Sequence, residues 1–335
     1  MYKTILLAHG SGGRLSHDLV DKFILPLLGN PLLNKLDDSA VFEQQGRFAF
    51  TTDSYVVNPL FFPGGDIGKL AVCGTVNDLS TSGASPLYLS LAMIIEEGLS
   101  LDDLSRIIMS IKSSADEAGV SIITGDTKVV NRGQADKIFI NTSGIGIITH
   151  GCDISGANAK AGDKIILSGT IGDHGIAIMS QREGLKFEVP VSSDCAPLNK
   201  LVAQLIGIPG VIHCLRDPTR GGLASSLNEF VQQSDNVGIT IDEKAIPIKA
   251  EIMAACELLG LDPLYVANEG KLVAVVSADA AHSILSTMQQ SRYGENAQII
   301  GEVTNSHPGR VIMRTKFGTS RIVEMLSGEL LPRIC

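Results

Sequence analysis

The sequence predicts a two-domain α+β protein. Its 335 residues are about twice the length of a typical domain. Strand-like and helix-like stretches occur in both halves without a regular strand–helix–strand period, which favours α+β over a parallel α/β fold. A stretch of small and polar residues, GCDISGANAKAG (151–162), separates the two halves. We therefore place the domain boundary between residues 152 and 153.

Four segments follow from this division. Residues 1–34 form a glycine-rich N-terminal segment, 35–152 an N-terminal domain, 153–325 a C-terminal α/β domain, and 326–335 a tail. Gly328 and Pro332 disfavour a helix in the tail, which ends in Cys335. We expect this tail to be flexible and to contribute little to any core.

Composition excludes several classes of protein. The chain is 44% hydrophobic and 19% charged, as in ordinary globular proteins, and its net charge of -9 disfavours binding to nucleic acids or anionic membranes. There is no apolar run of 18 residues and no signal peptide, so we expect a cytoplasmic protein without a membrane span. None of the six cysteines forms a CxxC pair, which predicts free thiols.

The clearest element of the N-terminal half is a helix that begins after Ser100 and ends near Gly119. Its apolar stripe has helical spacing and consists of Leu101, Leu104, Ile107, Ile108, Ile111 and Ala115. We interpret the other apolar runs as β-like. These are RFAFTTDSYVV, KLAVCGTVNDLSTSGASPL, LYLSLAMIIEEG, VSIITGDTKVV and KIFINTSGIGIIT.

The C-terminal half alternates between shorter strands and helices. DKIILSG, KLVAVVS, AQIIGEV and RVIMRT are predicted to be strands, and GDHGIAIMSQREG and DAAHSILSTMQQ are predicted to be helices. DPTRGGLASSLNEFVQQS is predicted to be a loop that enters a helix.

Four aspartates of the N-terminal half lie beside small residues at the ends of apolar runs. They are Asp38, Asp53, Asp78 and Asp126. No histidine or cysteine accompanies them, and ligand sets made only of oxygen favour magnesium over zinc. Each aspartate alone is commonly a turn or cap residue. Together they predict a magnesium site and a nucleotide phosphate close to it.

No standard phosphate-binding loop is present. GGDIGKLA resembles a Walker A loop, but Leu70 replaces the required Ser or Thr, and the glycine spacing is one residue short. HGSGGR (9–14) could surround an anion with backbone N–H groups, or it could be a flexible N-terminus. DPTRGG could bind an anion through a helix N-terminus and Arg220; equally, Asp217 or Thr219 could cap that helix.

Three further residues have reactive side chains. Glu269 and Lys128 could act as a general base and an electrostatic stabiliser in one cleft, although each alone is commonly a surface residue. Cys335 could enter a pocket of its own chain or of a partner. Arg333 would favour its thiolate, whereas the terminal carboxylate would oppose it.

Taken in order, several of these segments resemble the HypE family of nickel–iron hydrogenase maturation proteins, over essentially the whole chain. They are AHGSGG, TTDSYVVNPLFFPGGDIGKLAVCGTVNDL, TGDTKVV, DPTRGGL, ANEGKL and the terminal PRIC. The resemblance implies a two-domain PurM-like fold with an N-terminal, β-barrel-forming domain beside a C-terminal α/β domain. A second copy would complete the barrel, which implies a homodimer, and ATP would lie in the cleft between the domains.

The resemblance also implies a set of site residues. Asp38, Asp53, Asp78 and Asp126 would hold magnesium and phosphate. We assign nucleotide binding to His9, Gly10, Gly12, Gly13, Lys69, Asn77, Thr127, Asp217 and Arg220. The catalytic residues would be Cys335 as carrier of the substrate, Glu269 as base and Lys128 as stabiliser of charge on oxygen or phosphate.

The implied reaction takes place on the terminal thiol. A HypF-like carbamoyltransferase would load Cys335 with a carbamoyl group, ATP would drive its dehydration to a thiocyanate, and the cyano group would pass to iron on a HypC–HypD complex. One alternative is a kinase of a free small molecule, like selenophosphate synthetase, but HGSGGR lacks the reactive cysteine of that class. The other is a non-catalytic thiol carrier, in which the four aspartates would have no purpose.

Overall fold

The computed structural model describes residues 3–10, 14–36, 39–184, 190–207, 211–328 and 334–335. The helices are α1 (Arg14–Leu19), α2 (Leu25–Leu28), α3 (Ile67–Thr81), α4 (Leu101–Ala118), α5 (Asp173–Glu183), α6 (Asn199–Leu205), α7 (Gly222–Gln233), α8 (Ala250–Leu259) and α9 (Ala281–Gln289). The strands are β1 (Phe48–Tyr55), β2 (Phe61–Phe62), β3 (Gly65–Asp66), β4 (Ala84–Glu96), β5 (Ser121–Val130), β6 (Ile138–Ile148), β7 (Lys164–Leu167), β8 (Ile212–Arg216), β9 (Gly238–Asp242), β10 (Val273–Val276), β11 (Gln298–Thr304), β12 (Val311–Arg314) and β13 (Ser320–Val323).

Each half of the chain builds its own sheet. The first has the strand order β1–β6–β4–β5, and the second has the order β13–β12–β9–β11–β7–β10–β8. Both sheets are mainly antiparallel, and each contains one parallel pair, β4 with β5 and β12 with β9. The prediction of a two-domain α+β fold is confirmed.

The predicted helix after Ser100 is α4. The hydroxyl of Ser100 accepts hydrogen bonds from the N–H groups of Asp102 and Asp103, at 3.2 and 3.4 Å. Gly119 ends the helix in the left-handed conformation, with φ of 78°. Local sequence determines both ends of this helix. The Ser100 cap bonds to N–H groups two and three residues away, and Gly119 allows the left-handed turn that ends the helix.

Helix α3 corrects one prediction. The segment KLAVCGTVNDLSTSGASPL was interpreted as β-like, but most of it is helical. Asp66 caps this helix by accepting the N–H groups of Gly68 and Lys69, at 2.7 and 3.0 Å. Almost all of the helix is buried, so its sequence shows no amphipathic stripe. The cap also explains why GGDIGKLA is not a phosphate loop, since a carboxylate already occupies the helix N-terminus.

Helix α3 covers one face of the first sheet, and the opposite face remains open. Leu89, Leu91 and Met93 of β4 are buried on the covered side. Phe50 of β1 is 72% exposed, and Phe48 and Ile94 are also exposed. The open face therefore carries large apolar side chains in contact with solvent. Within the described parts of the chain, no helix combines the length and apolar character needed to cross a bilayer.

The end of the chain also departs from expectation. The tail is predicted to contribute little to any core, yet Ile334 is only 4% exposed and belongs to a hydrophobic core formed mainly by the N-terminal half. Cys335 packs against the same core. Pro332 and Arg333 lie outside the described residues. An apolar residue next to the terminal cysteine thus anchors the last two residues.

Candidate active site

The last two residues are held by hydrogen bonds from both halves of the molecule, one from a backbone N–H and one from a side chain. The N–H of Val56, just after β1, donates to the terminal oxygen of Cys335 at 3.2 Å. His174 in α5 lies with Nε2 at 2.6 Å from the carbonyl oxygen of Ile334. The terminal thiol is thereby held between the N-terminal and C-terminal halves.

Glu269 lies close to this thiol. It is only 2% exposed, and its Oε1 atom has no hydrogen-bond partner in the described structure. Burial, followed by the negative charge of Glu269, raises the pKa of Cys335 to about 12, and Arg220 opposes this shift. The pKa of Glu269 is also raised well above its usual value, first by burial and then by Cys195 and Asp217. The site therefore combines a neutral thiol with a carboxyl group of high proton affinity.

Asp194 fixes the backbone on either side of Glu269. Its carboxylate accepts the N–H groups of Glu269 and Gly270, at 3.1 and 3.2 Å, and pairs with Lys271 at 3.2 Å. Burial raises the pKa of Asp194, but Lys271 and the backbone N–H of Glu269 outweigh it and hold this pKa below its usual value. No sequence signal marks Asp194, because it lies 75 residues from Glu269, in an irregular stretch that carries no recognisable motif.

The segments ANEGK and DPTRGG are joined directly. Asn268 donates from Nδ2 to the carbonyl of Pro218 at 3.0 Å, and its Oδ1 accepts the N–H of Gly172 at 2.7 Å. A Cβ on Gly270 would lie 1.9 Å from the carbonyl oxygen of Asp194. Only glycine therefore allows this close packing around Glu269.

Asp53, Asp78 and Asp217 form an acidic cluster near the thiol. Burial and then the charge of Asp78 raise the pKa of Asp217 to about 7. Asp78 accepts a hydrogen bond from Thr51 at 2.9 Å, yet burial and the nearby Asp53 still raise its pKa. Arg216 and Arg220 oppose the shift at Asp78. A cation bound among these carboxylates would stabilise them, because it would offset the repulsion that raises the pKa values of Asp78 and Asp217.

The N-terminus of α7 has no side-chain cap. Gly221 occupies the cap position, and neither Asp217 nor Thr219 acts as the cap that the sequence allowed. Gly221 and Gly222 both have positive φ, at 78° and 61°, and a Cβ on Gly222 would lie 2.5 Å from the carbonyl oxygen of Leu264. Because of these two glycines, the chain makes a sharp turn into α7. The first N–H groups of α7 and Arg220 therefore lie at the same end of the helix.

The sheet separates Asp126 from Asp53. Asp126 lies level with Ala92, Asn141 and Ser54 on neighbouring strands, whereas Asp53 lies level with Thr142. Thr142 bonds to α3, so Asp53 is on the covered face and Asp126 on the open face. Three strand spacings of about 4.8 Å also separate them, roughly 14 Å in total.

Within one chain, the predicted metal ligands thus do not all meet. In the described ranges, no three histidine, cysteine, aspartate or glutamate side chains are arranged to hold a metal ion. Asp38 lies outside those ranges. The structure brings Asp53 and Asp78 together with Asp217, which is a predicted nucleotide ligand.

A cavity of about 500 Å³ lies between the N-terminal segment and β5, within the N-terminal half and not in the cleft between the domains where the family resemblance places ATP. Its walls are mainly apolar, with Leu19, Val20, Ile24 and Leu28 among them. Its polar residues include His9, Asp126, Thr127 and Lys128. The predicted nucleotide ligand Gly10 ends a short 3₁₀ turn (Leu7–Gly10) next to the cavity residue His9, and Gly12 and Gly13 lie outside the described residues.

Two predicted nucleotide ligands instead contact protein groups. Lys69 donates from Nζ to the carbonyl of Gly64 at 3.0 Å. Asn77 donates to the carbonyl of Ala196 at 3.1 Å and accepts the N–H of Leu198 at 2.8 Å, which ties α3 to the C-terminal half. Their roles in nucleotide binding stay predictions.

Both halves of the chain match domains of one known protein family. Residues 36–148 match the N-terminal domain of AIR synthase related proteins, and residues 160–314 match the C-terminal domain of the same family. This two-domain, PurM-like class agrees with the observed pair of sheets.

Individual relatives narrow the class further. Carbamoyl dehydratase HypE of Bradyrhizobium diazoefficiens is 53% identical over 98% of this chain and 95% of its own length. A crystal structure of the hydrogenase maturation protein HypE in complex with ATP is 49% identical, with a TM-score of 0.95, over 99% of this chain and 100% of the other. A chain of a HypE–HypF complex is 50% identical, with a TM-score of 0.81, over 92% of this chain and 99% of the other. The chain belongs to the HypE family of carbamoyl dehydratases.

Proposed function

We propose that this chain uses ATP to dehydrate a thiocarboxamide on its own Cys335 to a thiocyanate, which supplies the cyano ligand for the iron of a nickel–iron hydrogenase. The observation that carries the proposal is the terminal thiol beside Glu269, whose Oε1 is buried and lacks a hydrogen-bond partner in the described structure. The amide nitrogen of a thiocarboxamide carries two N–H donors. One of them would donate to Oε1 of Glu269 the hydrogen bond that this buried atom lacks.

The proposed reaction removes one water from the thiocarboxamide in two steps. The thiocarboxamide oxygen attacks the γ-phosphorus of ATP, and ADP leaves. The amide nitrogen loses one proton at this stage and a second when the C–O bond breaks. Phosphate leaves with the oxygen, and sulfur keeps the cyano group. Phosphorylation is needed because an oxygen leaving as oxide or hydroxide is far less stable than phosphate. Glu269 is the proposed base, and its raised pKa gives the ionised form a high proton affinity.

ATP binding is supported by the cavity between the N-terminal segment and β5. Its apolar wall suits a purine base, and Lys128 and Thr127 lie among its polar residues, where phosphates could bind. We propose that His9 and the glycines after it cover the nucleotide and that Lys128 stabilises charge on the transferred phosphoryl group. The solved HypE relative that contains ATP supports the choice of nucleotide.

Magnesium is the proposed metal. Asp53 and Asp78 fit this role, because oxygen ligands suit magnesium and their mutual repulsion would fall when a cation binds. Asp38 and Asp126 remain proposed ligands, the latter on the open face of the sheet. When bound, magnesium would neutralise negative charge on the ATP phosphates.

A homodimer would complete this site. The open face of the first sheet carries exposed Phe48, Phe50 and Ile94, which a second copy could bury. Asp126 and Lys128 lie on the edge strand β5 and Asp53 lies on the opposite edge strand β1, so joining these two edges across a dimer would bring Asp126 and Lys128 near the acidic cluster of the other subunit. This proposal accounts for predicted site residues that lie on both faces of a single sheet.

The proposed partners act before and after dehydration. A HypF-like carbamoyltransferase would load Cys335, in agreement with the solved HypE–HypF complex of a relative. A HypC–HypD complex would accept the cyano group on iron. The cytoplasmic location expected from the sequence stays a prediction.

The test is the intact mass of the protein with a HypF-like transferase, carbamoyl phosphate and ATP. The transferase consumes ATP for carbamoylation, so the loaded protein is purified before fresh ATP is added. We expect a gain of one carbamoyl group in the first step and a loss of one water in the second. A Cys335→Ala variant should show neither change. A loaded protein that keeps its water in the presence of ATP and magnesium would show that the proposed reaction is wrong.

A further inference from the structure

His174 connects the two reacting parts of the site. Its ring is fully buried, with Nε2 at 2.6 Å from the Ile334 carbonyl and Nδ1 at 2.8 Å from the hydroxyl of Ser193. Ser193 directly precedes Asp194, which holds the backbone of Glu269. One imidazole thus contacts both the residue before the terminal cysteine and the segment that positions the proposed base.

The hydrogen-bond partners assign the tautomer of this ring. A carbonyl oxygen only accepts, so Nε2 carries the proton and donates to Ile334. The Ser193 hydroxyl oxygen accepts the N–H of Cys195 at 3.1 Å, and its own proton is then available for Nδ1. Burial also lowers the pKa of His174, which keeps the ring neutral. The ring of Phe62 packs edge-on against the imidazole, with the ring centres 5.5 Å apart.

We propose that His174 is a positioning residue that docks the tail: its Nε2–H binds the Ile334 carbonyl and thereby holds Cys335 beside Glu269. The proposal rests on the proposed function for its catalytic consequence, but docking itself does not depend on that function. Among the described residues, Val56 is the only one whose backbone N–H donates a hydrogen bond to Ile334 or Cys335. A single neutral hydrogen bond changes an equilibrium by roughly 2- to 10-fold. The docked tail is therefore favoured, yet it can be released for loading and transfer by other proteins.

Alkylation of Cys335 measures docking without any catalysis. In the docked state the thiol is mostly covered and its pKa is raised to about 12, so iodoacetamide reacts mainly with the undocked tail. His174→Phe removes the donor and keeps a ring of similar size. His174→Gln keeps an N–H donor at a similar reach. We expect the alkylation rate of the C-terminal peptide to rise roughly 3- to 10-fold in the Phe variant and to stay within about twofold of wild type in the Gln variant.

Cys195 is the internal control, because it is buried and its N–H bonds to Ser193. If its alkylation rises in parallel with that of Cys335, the change is a general loosening and the proposal is wrong. The proposal also fails if the Phe variant labels at the wild-type rate. Should that variant not fold, Ser193→Ala replaces it. Loss of the donor to Nδ1 should raise Cys335 labelling roughly threefold, beyond the twofold range allowed for the Gln variant, and a smaller rise would again overturn the proposal.

A single-turnover measurement on purified carbamoylated protein links docking to the reaction. His174→Phe should slow the loss of water roughly 3- to 10-fold at saturating ATP and leave the ATP concentration for half-maximal rate unchanged. Loading by the transferase should not be slowed. If wild type loses no water, the proposed function fails while the labelling result still decides the docking role. If water loss in the Phe variant matches wild type, His174 does not position the thiol.

Discussion

Replacing Asp217 with asparagine should stabilise the fold above about pH 7. The reason is the acidic cluster, in which burial and Asp78 raise the pKa of Asp217 from 3.8 to about 7. A group whose pKa is raised on folding contributes stability below its unfolded pKa and loses it as the pH rises to the folded value. The asparagine variant avoids this loss, so its advantage should grow between pH 3.8 and about 7 and then level off.

The size of the effect follows from the shift. About three pKa units at about 1.4 kcal/mol each give an upper value of about 4 kcal/mol above pH 7. At pH 5 the wild-type protein has incurred less than half of this loss, so the advantage of the asparagine variant is about 2 kcal/mol. The advantage should thus increase by about 2–3 kcal/mol between pH 5 and pH 8. Magnesium with ATP should reduce it, since a cation would offset the repulsion in the wild-type cluster.

Urea unfolding followed by circular dichroism at pH 5, 6, 7 and 8 measures this difference. Asp235 provides the matched control, because Asp235→Asn removes the same negative charge at a solvent-exposed position. The control should shift stability by less than about 0.5 kcal/mol at every pH. The reasoning is refuted if the Asp217 variant has the same advantage at pH 5 and pH 8.

Three other changes test the neighbourhood of the proposed base. Glu269→Gln should allow loading of the terminal thiol but slow dehydration by about 100-fold or more, measured by intact mass; a full rate would remove Glu269 as base. Gly270→Ala should lower both the unfolding midpoint and the dehydration rate, because its Cβ would lie 1.9 Å from the carbonyl oxygen of Asp194. Gly207→Ala, where nothing lies within 4 Å, is its control and should be near neutral. Lys271→Met should destabilise the fold by about 3–5 kcal/mol in urea unfolding, since it leaves the buried Asp194 charge unpaired; a change below 1 kcal/mol would contradict this role.

The two-domain α+β class and several elements follow from the sequence by itself. Helix α4 was predicted with its cap at Ser100 and its end near Gly119, and both are confirmed. Ordered motifs also predicted the family, which the relatives confirm. These features depend on short-range signals: spacing of apolar residues, a capping side chain and a glycine.

Only the tertiary structure decided the remaining features. Helix α3 was missed because burial on nearly all sides removes the periodic pattern that marks a helix. Asp53 and Asp126 look equivalent in sequence, but the pleat of the sheet places them on opposite faces. Asp194 and His174 gain their importance from neighbours 75 and 160 residues away in the chain. Such contacts depend on how distant segments pack, and the local pattern around each residue does not encode that packing.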